Sequence, residues 1–61
     1  MLEAKYIKTM DFTFENVAIV NCENEWELIE KIKESGVIKI KNEDKTEYIN
    51  SNYIMYYELD K

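Results

Sequence analysis

Residues 24–36, NEWELIEKIKESG, decide the fold because they form the one stretch of the chain whose pattern clearly predicts a helix. Asn24 followed three residues later by Glu27 is typical of an N-terminal capping box. Gly36, the sole glycine, stands where a helix C-cap requires a positive φ. At about 100° per residue the apolar side chains fall within one half of a helical wheel. These side chains are Trp26, Leu28, Ile29 and Ile32.

Two strands are predicted before this helix. Met10, Phe12 and Phe14 alternate with polar residues in the stretch 4–14, which indicates a half-buried strand. Residues 17–20 form a continuous apolar run, as in a strand covered on both faces. Glu15-Asn16 is predicted to be the turn between them because asparagine tolerates left-handed backbone. Such a short connection predicts an antiparallel hairpin.

Three further strands are predicted after the helix. Ile38 and Ile40 alternate with lysines, and the following turns are rich in Asn, Asp and Ser. The predicted strands cover residues 37–41, 46–49 and 53–59. We therefore predict an α+β fold, in which one amphipathic helix packs on a mostly antiparallel sheet of four or five strands in the order β-β-α-β-β-β. Residues 1–61 are expected to form a single domain, with the strand order in the sheet left open.

The predicted core combines the apolar side of the helix with inward positions on the strands. From the helix it takes Trp26, Leu28, Ile29 and Ile32. From the strands it takes Phe12, Phe14, Val17, Ile19, Ile38 and Ile40, with some of Ile49, Ile54 and Tyr56.

Composition limits the chemistry that the chain can perform. It has 61 residues, no histidine, one cysteine and one glycine, so imidazole-based catalysis and a glycine-rich phosphate loop are excluded. Cys22 is expected to be a reduced, buried thiol, since neighbouring glutamates disfavour the thiolate. We expect no enzyme activity, no cofactor and no metal site. A domain this small is marginal in stability, so self-association or a partner is a natural support.

Charge makes direct nucleic-acid binding unfavourable. The formal net charge is −5, and the cations are eight lysines without an arginine. Arginine supplies the bidentate contacts that read guanine and clamp phosphate, and a negative chain is repelled by nucleic acid. No apolar run approaches the roughly 20 residues that span a bilayer, and the N-terminus lacks the apolar core of a signal peptide. We therefore expect a cytoplasmic protein without membrane contact.

The last predicted strand is apolar on both of its faces. Tyr53, Met55, Tyr57 and Leu59 share one face, while Ile54 and Tyr56 occupy the other. One helix covers only one side of a small sheet, so the apolar face Tyr53, Met55, Tyr57, Leu59 is predicted to bind a partner or a second copy in a homodimer. The alternative is that exposed tyrosines merely occur on a two-sided strand.

Six acids and no lysine occur between Thr9 and Glu30. Acids at a helix start are common because the helix dipole favours them, so a solvated helix face is one interpretation. The other is an acidic stripe that binds a basic, nucleic-acid-binding protein. Its predicted residues are Asp11, Glu15, Glu23, Glu27 and Glu30.

Residues 47–54, EYINSNYI, are similar to the Y-I-N-x-x-x-I signature of short FlbD-like proteins, in which an Asn turn joins two strands. The composition resembles that of small phage or mobile-element proteins. We therefore expect a small acidic protein-binding module, as in a phage or mobile-element regulator. The alternative function is a nucleic-acid mimic that inhibits a host defence protein, as anti-CRISPR proteins do.

Overall fold

The computed structural model describes residues 1–60, which form one helix and a five-stranded antiparallel sheet. The elements in chain order are β1 (Leu2–Thr9), β2 (Thr13–Ile19), α1 (Glu25–Lys33), β3 (Val37–Asn42), β4 (Lys45–Asn50), a 3₁₀ helix (Ser51–Tyr53) and β5 (Ile54–Leu59). The predicted α+β class and element order are confirmed. The strands lie side by side in the order β4-β3-β2-β1-β5.

β4 and β5 are consecutive in the chain but lie at opposite edges of the sheet. Only the three-residue 3₁₀ helix joins them, so the sheet must curl for the chain to cross from one edge to the other. β2 supports this curvature, because it pairs with β1 along its length but with β3 only at Ala18 and Ile19. The accessible surface is 4308 Å², close to the roughly 4200 Å² expected of a compact monomer of this mass.

The predicted turn between the first two strands is wrong. The chain turns at Met10 and Asp11, where the Thr9 amide donates to the Phe12 carbonyl at 2.8 Å and the Thr9 hydroxyl donates to it at 2.9 Å. Asn16 has the expected left-handed backbone, with φ 54°, but lies inside β2. An Asp in the loop and a Thr beside it suit the observed turn.

At Asn16 the side chains of β2 stop alternating strictly between the two faces of the sheet. Phe14, Val17 and Ile19 are all buried, although strict alternation would place Val17 on the opposite face from Phe14. On β1, the buried residues Ala4 and Ile7 face Val17 and Phe14. The alternation of side chains is therefore interrupted in both strands at the same position along the sheet, which bends the sheet around its core.

The helix begins as predicted and ends differently. The Asn24 side chain accepts from the Glu27 amide at 3.0 Å, and the Glu27 side chain accepts from the Glu23 amide at 2.8 Å. At the other end the left-handed residue is Ser35, with φ 57°, and Gly36 has no positive φ. Ser35 donates to the Ile32 carbonyl and Gly36 to the Lys31 carbonyl, which is a Schellman motif with Gly36 one position late.

The core contains part of the predicted set. Leu28 is fully buried, Ile29 and Ile32 are half-buried, and Trp26, predicted to be core, is 63% exposed. The four side chains span about 160° of the wheel, with Leu28 at one end of this arc and Trp26 at the other, and the helix buries the Leu28 end. Phe12 and Tyr56 are also more than half exposed. The strands contribute Ala4, Ile7, Phe14, Val17, Ile19, Ile38 and Ile40, and Cys22 joins them.

A buried serine connects the helix to the 3₁₀ helix. The Ser51 hydroxyl donates to the Lys31 carbonyl at 2.8 Å, and the Ser51 amide donates to the Gly36 carbonyl at 2.8 Å. The side chain of Ser51 is fully buried with its hydrogen bond satisfied. This contact holds the end of α1 against the connection between β4 and β5. The Asn50 side chain in turn accepts from the Asn52 amide, so the predicted Asn turn is present as a 3₁₀ helix.

Candidate protein-binding surfaces

The predicted apolar face of the last strand is divided between the core and the solvent. Tyr57 and Leu59 are half-buried and pack against the core, whereas Tyr53 and Met55 are 54% and 62% exposed. Tyr53 lies in the 3₁₀ helix, and a register shift between β1 and β5 occurs at Met55. The four residues therefore do not share a face, because the irregular pairing interrupts the alternation from which the face was predicted.

Tyr57 connects β5 to the start of α1. Its hydroxyl donates to the Glu25 carboxylate at 2.8 Å, beside an open groove of about 470 Å³ that Lys5 and Leu59 also line. Burial raises the pKa of Tyr57 to about 12, and the hydrogen bond to Glu25 acts in the same direction. Tyr57 is thus a neutral hydrogen-bond donor at physiological pH, with a structural role.

Tyr56 pairs with Tyr6 on the sheet face that points away from the core. The two rings meet edge to face with centroids 5.5 Å apart, and their hydroxyl oxygens are 2.8 Å apart. The hydrogen bond to Tyr56 is the main cause that raises the pKa of Tyr6 to about 12. Tyr56 is therefore in contact with another tyrosine, but its partner belongs to the same chain and not to a second protein.

Four large apolar side chains are exposed where the β1–β2 turn meets the start of β5. We name this set the hairpin-tip patch, and its exposures are Met10 68%, Phe12 56%, Tyr53 54% and Met55 62%. The Met10 amide donates to the Tyr53 carbonyl at 3.1 Å, and Thr9 is the register partner of Ile54. A groove of about 230 Å³ lies between Met10, Asp11 and Tyr53. The β1–β2 turn and the segment that opens β5, distant in sequence, thus lie side by side and carry these four exposed apolar side chains.

Half of the hairpin-tip patch, Met10 and Phe12, lies outside the partner-binding face that the sequence predicts. The alternation places Met10 and Phe12 on the same side of a strand as Phe14, with Phe12 in the predicted core, but only Phe14 is buried. Phe12 packs edge to face on Phe14, with ring centroids 4.8 Å apart. Asp11 is the residue from which the turn could have been predicted. Aspartate is disfavoured inside strands and favoured in turns, so it suits a two-residue loop at Met10 and Asp11.

The predicted acidic stripe is split into two groups. Glu23, Glu27 and Glu30 lie along the first turns of α1 and before it, all of them exposed. Asp11 lies in the β1–β2 loop. Glu15 lies on β2, where it is the register partner of Tyr6 on β1. The Met1 amino group contacts Glu23 at 3.2 Å, so the eight residues of β1, about 26 Å of extended chain, separate Glu23 from Asp11.

No group of three Cys, Asp or Glu side chains among residues 1–60 is close enough to hold a metal ion. Cys22 is fully buried, as predicted, and burial raises the pKa of its thiol. No helix within the described residues is long and apolar enough to cross a membrane.

Comparison with known proteins gives no relative for this chain. No protein-family model matches it, and neither a curated protein nor a solved structure is significantly similar to it.

Proposed function

We propose that the chain is a small acidic, non-enzymatic protein-binding module, of the kind that regulates phage or mobile-element processes, and that it binds through the hairpin-tip patch. The observation that supports this proposal is the grouping of Met10, Phe12, Tyr53 and Met55, each more than half exposed, at one end of the molecule. Contiguous exposed apolar side chains are a common property of interaction sites.

The composition of the patch suits protein recognition. Tyrosine, phenylalanine and methionine are all enriched in interface cores, and an aromatic ring adds a large contact area with few rotatable bonds. The loop carries Asp11 at the rim of the groove, and the backbone hydrogen bond between Met10 and Tyr53 holds its two walls together. A preorganised surface of this kind loses little conformational entropy on binding.

A capture experiment tests the proposal. The protein would be immobilised and exposed to a lysate of its native host in three forms: wild type, Phe12→Lys/Met55→Lys, and the matched control Tyr48→Lys. Tyr48 is 66% exposed on the other edge strand, β4, so its replacement adds a lysine away from the patch. We expect one partner to be retained by the wild type and the control and lost by the double variant. Equal retention by all three forms contradicts the proposal.

A second copy of the chain is the other partner that could bind the hairpin-tip patch, which would give a homodimer. Light scattering over a wide concentration range would reveal a dimer, and the Phe12→Lys/Met55→Lys variant would then be monomeric if the patch forms the interface. A wild-type protein that is monomeric throughout removes the homodimer and leaves the binding of a different protein.

A second candidate function is inhibition of a nucleic-acid-binding protein through mimicry of its acidic ligand. It is favoured by the grouping of Glu23, just before α1, with Glu27 and Glu30 on the exposed side of α1, whereas Asp11 and Glu15 lie elsewhere. Reversal of charge at these three glutamates should abolish inhibition. Unchanged binding to the partner after the reversal would rule this function out.

A further inference from the structure

We infer that the solvent side of α1 is a docking site for an arginine-rich protein segment, with Trp26 as its anchor. This outer helix face consists of Trp26, Glu27, Glu30 and Glu34, all exposed. The inference rests on the proposed function only in taking the chain to be a protein-binding module. It shares Glu27 and Glu30 with the second candidate function and deepens it, because it names Trp26 as an anchor and arginine as the group that the partner contributes.

The position of Trp26 is the observation that carries this inference. Its side chain is 63% exposed and points away from Leu28, the residue that anchors the helix in the core. Within residues 1–60 the aromatic pairs are Tyr6–Tyr56 and Phe12–Phe14, and the cation–π contact is Lys39 over Tyr48. The indole face is thus free of other rings and cations in this part of the chain. Tryptophan is also among the residues most enriched at binding hot spots.

The charges around the indole select the partner. Glu30 is one turn after Trp26 on the same side of the helix, about 5–6 Å away between Cβ atoms, and Glu34 follows one turn later. Lys33 also lies on this side and Lys31 is one turn after Glu27, so three carboxylates face two ammonium groups and the face keeps a negative charge. The ion pairs among residues 1–60 are Met1–Glu23 and Lys5–Glu58, which leave Glu27, Glu30 and Glu34 unpaired within that range.

An arginine side chain fits this arrangement better than other groups. A guanidinium stacks on an indole through cation–π attraction, and its N–H groups reach a carboxylate beside the ring. A nucleic-acid strand would also stack on tryptophan, but its phosphates would be repelled by the three glutamates. The partner segment is therefore a basic polypeptide in which arginine contributes the contact to Trp26.

The single tryptophan supplies a direct measurement of docking. We would titrate the protein with acetylated hexa-arginine amide and record Trp26 emission, with hexa-lysine and a thymidylate 12-mer as comparison probes. Because the indole is already exposed, a blue shift or quenching reports contact with the added molecule. We expect a saturable response to hexa-arginine that weakens as salt is raised, a smaller one to hexa-lysine and none to the oligonucleotide.

Two matched variants separate the outer helix face from net charge. Glu27→Gln/Glu30→Gln/Glu34→Gln should weaken hexa-arginine binding about ten-fold, since each exposed charge contributes modestly and the three are lost together. Glutamine at position 27 keeps the capping box. The control Glu15→Gln/Glu43→Gln/Asp44→Asn changes net charge equally, from −5 to −2, at exposed sites outside α1, and should weaken binding less than three-fold.

Several results would overturn this inference. They are an equal loss in the two triple variants, an emission spectrum that does not respond to hexa-arginine at low salt, or a larger response to the oligonucleotide. Failure of the proposed function is a different result, in which no native partner depends on the hairpin-tip patch. A partner that is lost by Phe12→Lys/Met55→Lys but kept by the helix triple variant would support the proposed function and contradict the inference.

Discussion

At the scale of single residues, the end of α1 shows how neighbouring positions can exchange roles. Ser35 takes the left-handed conformation, although Gly36 beside it is the residue suited to it. A non-glycine residue in this conformation is strained by roughly 1 kcal/mol. The prediction from sequence located the helix end within two residues but assigned the conformation to the wrong one, because a lone glycine gives no information about which of the two C-terminal positions it occupies.

This exchange makes opposite predictions for adjacent substitutions. Ser35→Gly should stabilise the protein by about 0.5 kcal/mol, since relief of strain exceeds the loss of an exposed hydrogen bond to Asn52 and the added freedom of the unfolded chain. Gly36→Ala should change stability by less than about 0.5 kcal/mol, because an added Cβ would meet its nearest atoms at 3.5 Å or more. Urea denaturation measures both variants, and a loss above 1 kcal/mol in Gly36→Ala would contradict this geometry.

At the scale of elements, the helix and the strand count were readable from the sequence, and the rotation and pairing of these elements were not. The capping box identified the start of α1 because Asn24 and Glu27 satisfy amides locally. The β1–β2 turn was misplaced because Asn16 carries a turn-like backbone inside a strand. The hairpin-tip patch consequently combines residues of the β1–β2 turn with residues at the start of β5. Their proximity is set by the pairing of β1 with β5, which are distant in sequence.

The rotation of α1 can be tested with two truncations on the same helix. Leu28→Ala should destabilise the protein by about 3 kcal/mol, since it leaves a cavity in the core. Trp26→Ala removes a larger side chain but should change stability by no more than about 0.5 kcal/mol, because the indole is mostly in solvent. Thermal unfolding followed by circular dichroism gives both values. A greater loss for Trp26→Ala would show that the helix packs on its other side.

At the scale of the whole molecule, the sheet and the helix are joined at both ends of α1. Glu25 accepts from the Tyr57 hydroxyl of β5 at its start, and Lys31 accepts from Ser51 near its end. The helix is therefore held at its start by the edge strand β5, and near its end by the connection that leads from β4 to β5. No disulfide contributes, since Cys22 is a free thiol.

The link through Tyr57 predicts a loss of stability at alkaline pH. The pKa of Tyr57 is raised from 10.0 to about 12 in the folded protein, so the folded state binds the proton more tightly than the unfolded chain. This stabilisation is complete below pH 10 and is lost as the pH rises towards 12. Thermal melts between pH 9 and 12, with Tyr57→Phe compared to the exposed control Tyr53→Phe, should show a smaller alkaline decrease only for Tyr57→Phe. Equal decreases would remove Tyr57 as a cause.

The pairing of β1 with β5 also has a kinetic consequence. Register partners such as Thr9 and Ile54 are some 45 residues apart, so the sheet is completed only after a loop of most of the chain has closed. Until then one edge of β1 lies open to any matching strand. At high protein concentration, β5 of another molecule can pair with this open edge of β1. The product would be a domain-swapped dimer in which every strand makes its native contacts. Refolding of this protein should therefore be most efficient in dilute solution.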